Sequence, residues 1–367
     1  MSRIVNVAVV WAAMSAALTG ISKADDVAVG VRDLADMANL STVDLGPSGA
    51  LHYYIGRLPS GAAPDPDSIV SALIVIHGYP RDANRTLGAA VLAARKAGRD
   101  TNTVMIAPLF QVADSEAQRC SFHGNPVAQK GDALWTCSSW IAGGRAEGGG
   151  ATSFEAIDAL TASLAKSWPR LRAITIAGFS AGAQFVQHSI GFARPPKGVR
   201  LRYVVADPGT WLYFDAYRPM PLVDGQPSAW TRCRDVSSCS FAWLPLDARM
   251  AATCPDANRW KYGTDGLPDA FGVGANEARA RYAAADVAYL EGALDTGDGR
   301  GTFFRLLDKS CAADLQGPYR LQRGLAYSAY SQRFLSANRP MAVVPLCAHE
   351  VTCVFPSDAA RPLLFPE

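Results

Sequence analysis

From Ala50 to the carboxyl end, short and continuously apolar runs alternate with longer stretches whose apolar residues recur at helical spacing. A continuous apolar run bounded by turn residues reads as a strand buried on both faces, and the interleaved helices are what a parallel sheet needs for its crossovers. The strand candidates are Leu51–Leu58, Ala72–His77, Thr103–Leu109, Ala173–Phe179, Tyr203–Ala206, Val287–Asp295 and Met341–Leu346. Thr86–Ala97 carries Leu87, Val91 and Leu92 on one helical face, and Ser153–Trp168 opens with Thr152 or Ser153 as a cap and Glu155 in its first turn. Pro59–Ser68, rich in Pro, Gly and Asp, reads as a surface turn between two strands. There is no internal repeat. The pattern predicts an α/β fold with a mostly parallel central sheet and helices on both faces.

Two stretches interrupt the alternation: Val112–Ala151, and Gly209–Ala284 with Trp211, Trp230, Trp243 and Trp260. Both are too long for ordinary connections. An insertion above the carboxyl ends of parallel strands usually shapes a binding site, so residues 209–284 are expected to form a cap or lid. A disulfide-stapled surface excursion is the alternative. Trp135, Trp140, Trp211, Tyr213, Trp230, Trp243 and Trp260 would then either line an apolar groove or fill core, core being the commoner role of such residues.

The amino end changes the picture of where the protein works. Arg3 precedes an apolar run from Ile4 to Leu18 and a small-residue end at Ser22-Lys23-Ala24, the pattern of a signal peptide cut after Ala24. The run falls short of the roughly 20 residues a membrane-crossing helix needs. Residues 25–367 are therefore expected to be one exported domain with its excursion, periplasmic or secreted, free of the membrane once cut, and monomeric. A formal charge of +2 without blocks of like charge gives no reason to expect nucleic acid as a partner. The eight cysteines form an even set with no zinc-type spacing, which in an exported chain favours disulfides. Pairing by neighbourhood gives Cys120 with Cys137, Cys233 with Cys239, Cys254 with Cys311, and Cys347 with Cys353. The last pair could instead be bonded elsewhere.

The chemistry centres on one turn. The apolar strand Ile174-Thr175-Ile176-Ala177 runs into Gly178-Phe179-Ser180-Ala181-Gly182 and then into the helical segment Ala183–Gly191. A G-x-S-x-G string alone is weak, but strand before and helix after make it a nucleophile elbow, where bulk two residues either side of the serine would clash. In folds built on such an elbow the acid and then the histidine follow the serine in sequence. His52, His77 and His123 precede Ser180, and His188 lies about 12 Å further along the helix at 1.5 Å per residue. That leaves His349, in the loop after the last strand. Asp295, ending the strand candidate before it, is the favoured acid, with Asp298 and Asp207 as alternatives. Ala181 should supply one backbone N–H for a developing oxyanion, and Tyr79, following His77-Gly78 at the end of an earlier strand, the other, because Pro80 has no N–H to give. His77 is expected to order that loop.

Val75-Ile76-His77-Gly78, Ala177-Gly178-Phe179-Ser180-Ala181-Gly182 and the late acid and histidine resemble the α/β-hydrolase superfamily from Ala50 onward. Within it the chain resembles exported bacterial esterases and polymer-degrading hydrolases, including polyhydroxyalkanoate depolymerases and oxidised polyvinyl alcohol hydrolases. The resemblance implies a Ser180-Asp295-His349 triad acting through an acyl-enzyme on a small-molecule or polymer ester, with no metal or organic cofactor. Its polyvinyl alcohol branch implies instead cleavage of a carbon–carbon bond in a β-diketone. Two readings of other classes compete: a non-catalytic extracellular binding module on the same fold, which would normally lack a triad member, and a solute-binding protein, which leaves the elbow unexplained.

Overall fold

The computed structural model describes residues 39–56, 63–121, 125–336 and 339–366. The expected signal peptide (residues 1–24), His123 and part of the Pro59–Ser68 turn lie outside the described residues. Eight strands form the central sheet: β1 (Asn39–Asp44), β2 (Ala50–Ile55), β3 (Ser71–Ile76), β4 (Thr103–Leu109), β5 (Ala173–Phe179), β6 (Arg200–Ala206), β7 (Asp286–Gly292) and β8 (Met341–Val344). Their order across the sheet is β1-β2-β4-β3-β5-β6-β7-β8. β2 runs antiparallel to β1 and β4, and the remaining pairs are parallel.

The central strands β3, β4 and β5 carry no charged residue because successive side chains face opposite sides and both sides are covered. Ile74, Ile76, Ile174, Ile176, Val287 and Tyr289 enter one core layer, while Leu73, Val75, Ala177, Phe179, Ala288 and Leu290 enter the other. The first layer is closed by α2 (Ser153–Ser167), α3 (Ala181–Ser189), α4 (Ala275–Ala284) and α5 (Arg320–Phe334), through residues such as Phe154, Phe185, Tyr282 and Tyr327. The second is closed by α1 (Ala83–Lys96) with Leu87 and Val91, and by the C-terminal turns with Val354, Phe355 and Leu364. Thr152 caps α2 by accepting from Glu155 N–H while the Glu155 carboxylate accepts from Thr152 N–H, a full capping box.

The departures from the sequence pattern have local causes. β1, Asn-Leu-Ser-Thr-Val-Asp, has no continuous apolar run, since this edge strand buries only Val43 and leaves Leu40 exposed. β7 stops at Gly292, three residues short of Asp295, because Leu294 N–H turns to the Cys347 carbonyl and Asp295 N–H to the Gly292 carbonyl. β8 ends at Val344, and Leu346 beyond it has φ +62°, which no strand accommodates.

All four cysteine pairs expected from neighbourhood are bonded: Cys120–Cys137, Cys233–Cys239, Cys254–Cys311 and Cys347–Cys353. The excursion after β6 contains a three-stranded antiparallel sheet (Tyr217–Val223, Gln226–Pro227, Ser240–Pro245), which packs Trp243 against Tyr330 and Phe334 of α5. Trp135, Trp140, Trp211 and Tyr213 are fully buried, Trp260 packs on the same core, and Trp230 packs on Phe241. All but the half-buried Trp230 belong to the core. None of them lines the cleft described next.

Candidate active site

Parallel strands deliver their carboxyl ends to one edge of the sheet. Ile76 lies beside Gly178, Phe179 beside Ala206, Ala206 beside Leu290, and Gly292 beside Val344. The loops leaving β3, β5, β6, β7 and β8 therefore emerge side by side, and they carry His77-Gly78-Tyr79, Ser180, Asp207, Asp295 and His349.

Ser180 sits between β5 and α3 with φ +59° and ψ −122°, a conformation that costs a non-glycine residue about 1–3 kcal/mol. The turn closes only because its neighbours lack side chains. A Cβ on Gly178 would lie 2.1 Å from the Gly182 carbonyl oxygen, and one on Gly182 would lie 2.2 Å from the Ile76 carbonyl oxygen. Ser180 N–H donates to the Ala206 carbonyl at 3.0 Å, which pins the elbow to the next strand.

His349 reaches Ser180 from the loop after β8. Its Nε2 lies 2.8 Å from Ser180 Oγ and its Nδ1 lies 2.6 Å from Asp295 Oδ2. A carboxylate on Nδ1 makes that nitrogen the N–H donor, so Nε2 carries the lone pair and the serine hydroxyl donates to it. Asp295 Oδ1 accepts from Arg320 Nη1 at 3.3 Å, and the same nitrogen donates to the Thr302 carbonyl at 2.7 Å. The arm is held by the Cys347–Cys353 bridge and by His349 N–H donating to the Gly301 carbonyl. Burial, and next the Arg320 cation, lower the His349 pKa from its usual 6.5, while Asp295 pulls the other way. The imidazole is neutral at neutral pH, as a general base must be.

Of the three candidate acids, Asp295 meets the imidazole. Asp298 is exposed on the loop after β7. Asp207 is buried nearby, but its Oδ1 accepts from Gly292 N–H. The other described histidines are occupied elsewhere. His52 bonds Asp132, and His188 lies between the Gln184 and Lys261 carbonyls. His77 is wholly buried, with its pKa lowered to about 3, chiefly by burial. Its Nδ1–H donates to the Gly78 carbonyl and its Nε2 accepts from Phe110 N–H, so it orders the loop beside the elbow.

Gly78 N–H is taken by Asp82 Oδ1 at 3.0 Å. Tyr79 and Ala181 face the cleft, and among the described residues neither N–H has an acceptor. Two free donors beside a serine hydroxyl form a site for negative charge on a substrate oxygen. Arg81, in the left-handed region at φ +58°, stitches this loop to the Phe110 and Cys120 carbonyls.

The cleft over Ser180 has a volume of about 540 Å³. Of residues 209–284 only Gly209 and Lys261 reach its wall. More of the wall comes from a segment the periodicity does not single out, Phe303, Arg305, Leu306 and Asp308 between β7 and α5. Arg320, which anchors Asp295, also escapes sequence reasoning. An arginine opening a helix is unremarkable until the helix is seen to point its first residue at the acid. In the Gly78 loop, the run Tyr-Pro-Arg-Asp after His-Gly is the one signal that marks Arg81 and Asp82.

No protein-family model matches the sequence, and no curated protein matches it. Among solved structures the chain is similar to poly(aspartic acid) hydrolase-1 from Sphingomonas sp. KT-1, at 18% identity over 89% of this chain and 98% of that one, with a TM-score of 0.56. It is also similar to a poly(3-hydroxybutyrate) depolymerase from Bordetella parapertussis, at 18% identity over 92% of this chain and 93% of that one, with a TM-score of 0.55. At such identity the likeness is one of fold: the chain has the α/β-hydrolase fold.

Proposed function

We propose that the protein is an exported serine hydrolase that cleaves carboxylic esters through an acyl-enzyme. The observation that carries this reading is the hydrogen-bond chain from Ser180 Oγ to His349 Nε2 at 2.8 Å and from His349 Nδ1 to Asp295 at 2.6 Å, next to two unused backbone N–H groups. Ser180 Oγ attacks the ester carbonyl carbon as His349 Nε2 takes its proton. The carbonyl oxygen becomes an oxyanion between Tyr79 N–H and Ala181 N–H. Collapse breaks the bond to the alcohol oxygen, which receives the proton from His349 and leaves as the alcohol. Water then gives a proton to His349 and attacks the acyl carbon. A second collapse returns the proton to Ser180 Oγ and releases the acid. Asp295 orients the imidazole and offsets its positive charge throughout. Every proton and the nucleophile come from the chain and water, so this reaction calls for no cofactor.

The cleft supports an uncharged substrate with an apolar flank. Three of its cations are matched by carboxylates: Arg85 with Glu350, Lys261 with Asp308, and Arg320 with Asp295. Arg305 alone of the cleft-lining cations has no carboxylate partner among the described residues. A polyanion such as poly(aspartic acid) would meet three cations already neutralised by carboxylates and one, Arg305, that is not. In the cleft wall the apolar Phe303 and Leu306 are exposed, to 52% and 63%. Four disulfides support an oxidising compartment, in keeping with the amino-terminal signal pattern.

A panel of a p-nitrophenyl butyrate ester, polyhydroxybutyrate, poly(aspartic acid) and a β-diketone tests the reading. The expected result is turnover of the uncharged esters and none of poly(aspartic acid). Turnover of poly(aspartic acid) or the β-diketone without any ester turnover would overturn it.

A further inference from the structure

More than one acid lies within reach of His349. Asp207 follows β6, fully buried, with φ +51°. Its N–H donates to the Leu290 carbonyl and its Oδ1 accepts from Gly292 N–H at 2.8 Å, so the carboxyl is locked to the end of β7. Side-chain atoms of Asp207, Asp295 and His349 lie within 4.8 Å of one another. Asp207 Oδ2 and both oxygens of buried Glu291 receive no proton from any N–H or hydroxyl donor among the described residues. Burial first and then Asp207 push the Glu291 pKa well up. Gly324 of α5 leaves room for that side chain, since a Cβ there would lie 2.0 Å from Glu291 Oε1.

We propose that Asp207 is a second, reserve acid for His349, able to orient the imidazole when Asp295 is removed. This rests on the reading of Ser180 and His349 as the catalytic pair. The groups facing Asp207 are Glu291 and Asp295 from β7 and its loop, Arg320 from α5 and His349 from the loop after β8. Burial, and next the Asp295 charge, raise the Asp207 pKa to about 8, against the opposing pull of Glu291, Gly292 N–H and Arg320. Deleting Asp295 removes the repulsion and leaves Arg320 without its anion. Both changes favour ionised Asp207 at neutral pH, within the same 4.8 Å cluster as the imidazole.

The test is a double-mutant cycle in kcat/KM on an ester. Loss of the only triad acid costs about 10⁴-fold. Asp295→Ala is expected to lose only about 10²-fold, with a rise in activity as pH climbs through the Asp207 pKa, now below 8. Adding Asp207→Asn should remove that rise and about 10²-fold more, a coupling that two merely structural losses would not show. A 10⁴-fold loss in Asp295→Ala, or the same factor for Asp207→Asn in both backgrounds, overturns the proposal. Should Asp295→Ala fail to fold, the full-length wild-type protein gives an answer without substrate. The His349 Nδ1 proton resonance should shift with an inflection near pH 8 that is absent in Asp207→Asn, and no inflection in the wild type overturns the proposal. Because this readout needs no turnover, it separates failure of the reserve acid from failure of the hydrolase reading.

Discussion

Ser180 is positioned by residues two places either side of it and by the strand ends it touches, whereas His349 is positioned by groups scattered over the chain. The elbow is a steric object: a Cβ on Gly178 or Gly182 would lie 2.1 or 2.2 Å from a backbone carbonyl oxygen, so the turn closes only without side chains there. The histidine arm is a tethered object. It depends on a disulfide inside its own loop, on the Gly301 carbonyl, and on Asp295, which depends in turn on Arg320 from α5. The difference teaches that the nucleophile should fail through folding and the base through geometry and charge.

Gly182→Ala should give the largest effect. Its new methyl overlaps the Ile76 and His77 carbonyl oxygens, neither of which can swing away as a side chain would, so the loss should be at least about 3 kcal/mol. Urea unfolding measures this, and a midpoint like that of the wild type would mean that the elbow is not steric in origin. Removing the arm's tether with Cys347→Ser and Cys353→Ser together should cost about 2 kcal/mol, the loop-closure value for so short a loop. The accompanying fall in kcat/KM should exceed the fall in ester affinity, because the base and not the cleft is loosened. Smallest is the effect of Arg320→Gln on pH dependence. Arg320 helps to lower the His349 pKa, so the acid limb of kcat/KM should have its midpoint below 6.5 in the wild type and move upward in the variant. A pH–rate profile that stays put or moves down would contradict the electrostatic role given to Arg320.

The same contrast separates what was legible in the sequence from what was not. β5 runs from Ala173 to Phe179 and β4 from Thr103 to Leu109, as their nearly continuous apolar runs indicate, because strands buried on both faces have no charged positions to interrupt them. The elbow was legible for the same local reason. Asp295 and His349 followed from chain order and elimination, with Asp207 and Asp298 left open until distances chose between them. β1 was invisible because an edge strand need not be apolar. Arg320 and the Phe303–Asp308 wall carry no sequence periodicity at all: their roles exist only once α5 and the loop after β7 are brought over the sheet's edge. The excursion's tryptophans illustrate the converse. Groove and core were both open to them, core being the commoner role, and the fold packs Trp211, Trp243 and Trp260 on the core while Trp230 stays half-buried outside it.

The most direct test of the central claim is the mass of the protein after reaction with a fluorophosphonate serine probe. One adduct is predicted, on the peptide carrying Ser180, and Ser180→Ala should abolish both the adduct and ester turnover while leaving the unfolding midpoint near that of the wild type. An adduct on another residue, or undiminished labelling of Ser180→Ala, would contradict the account.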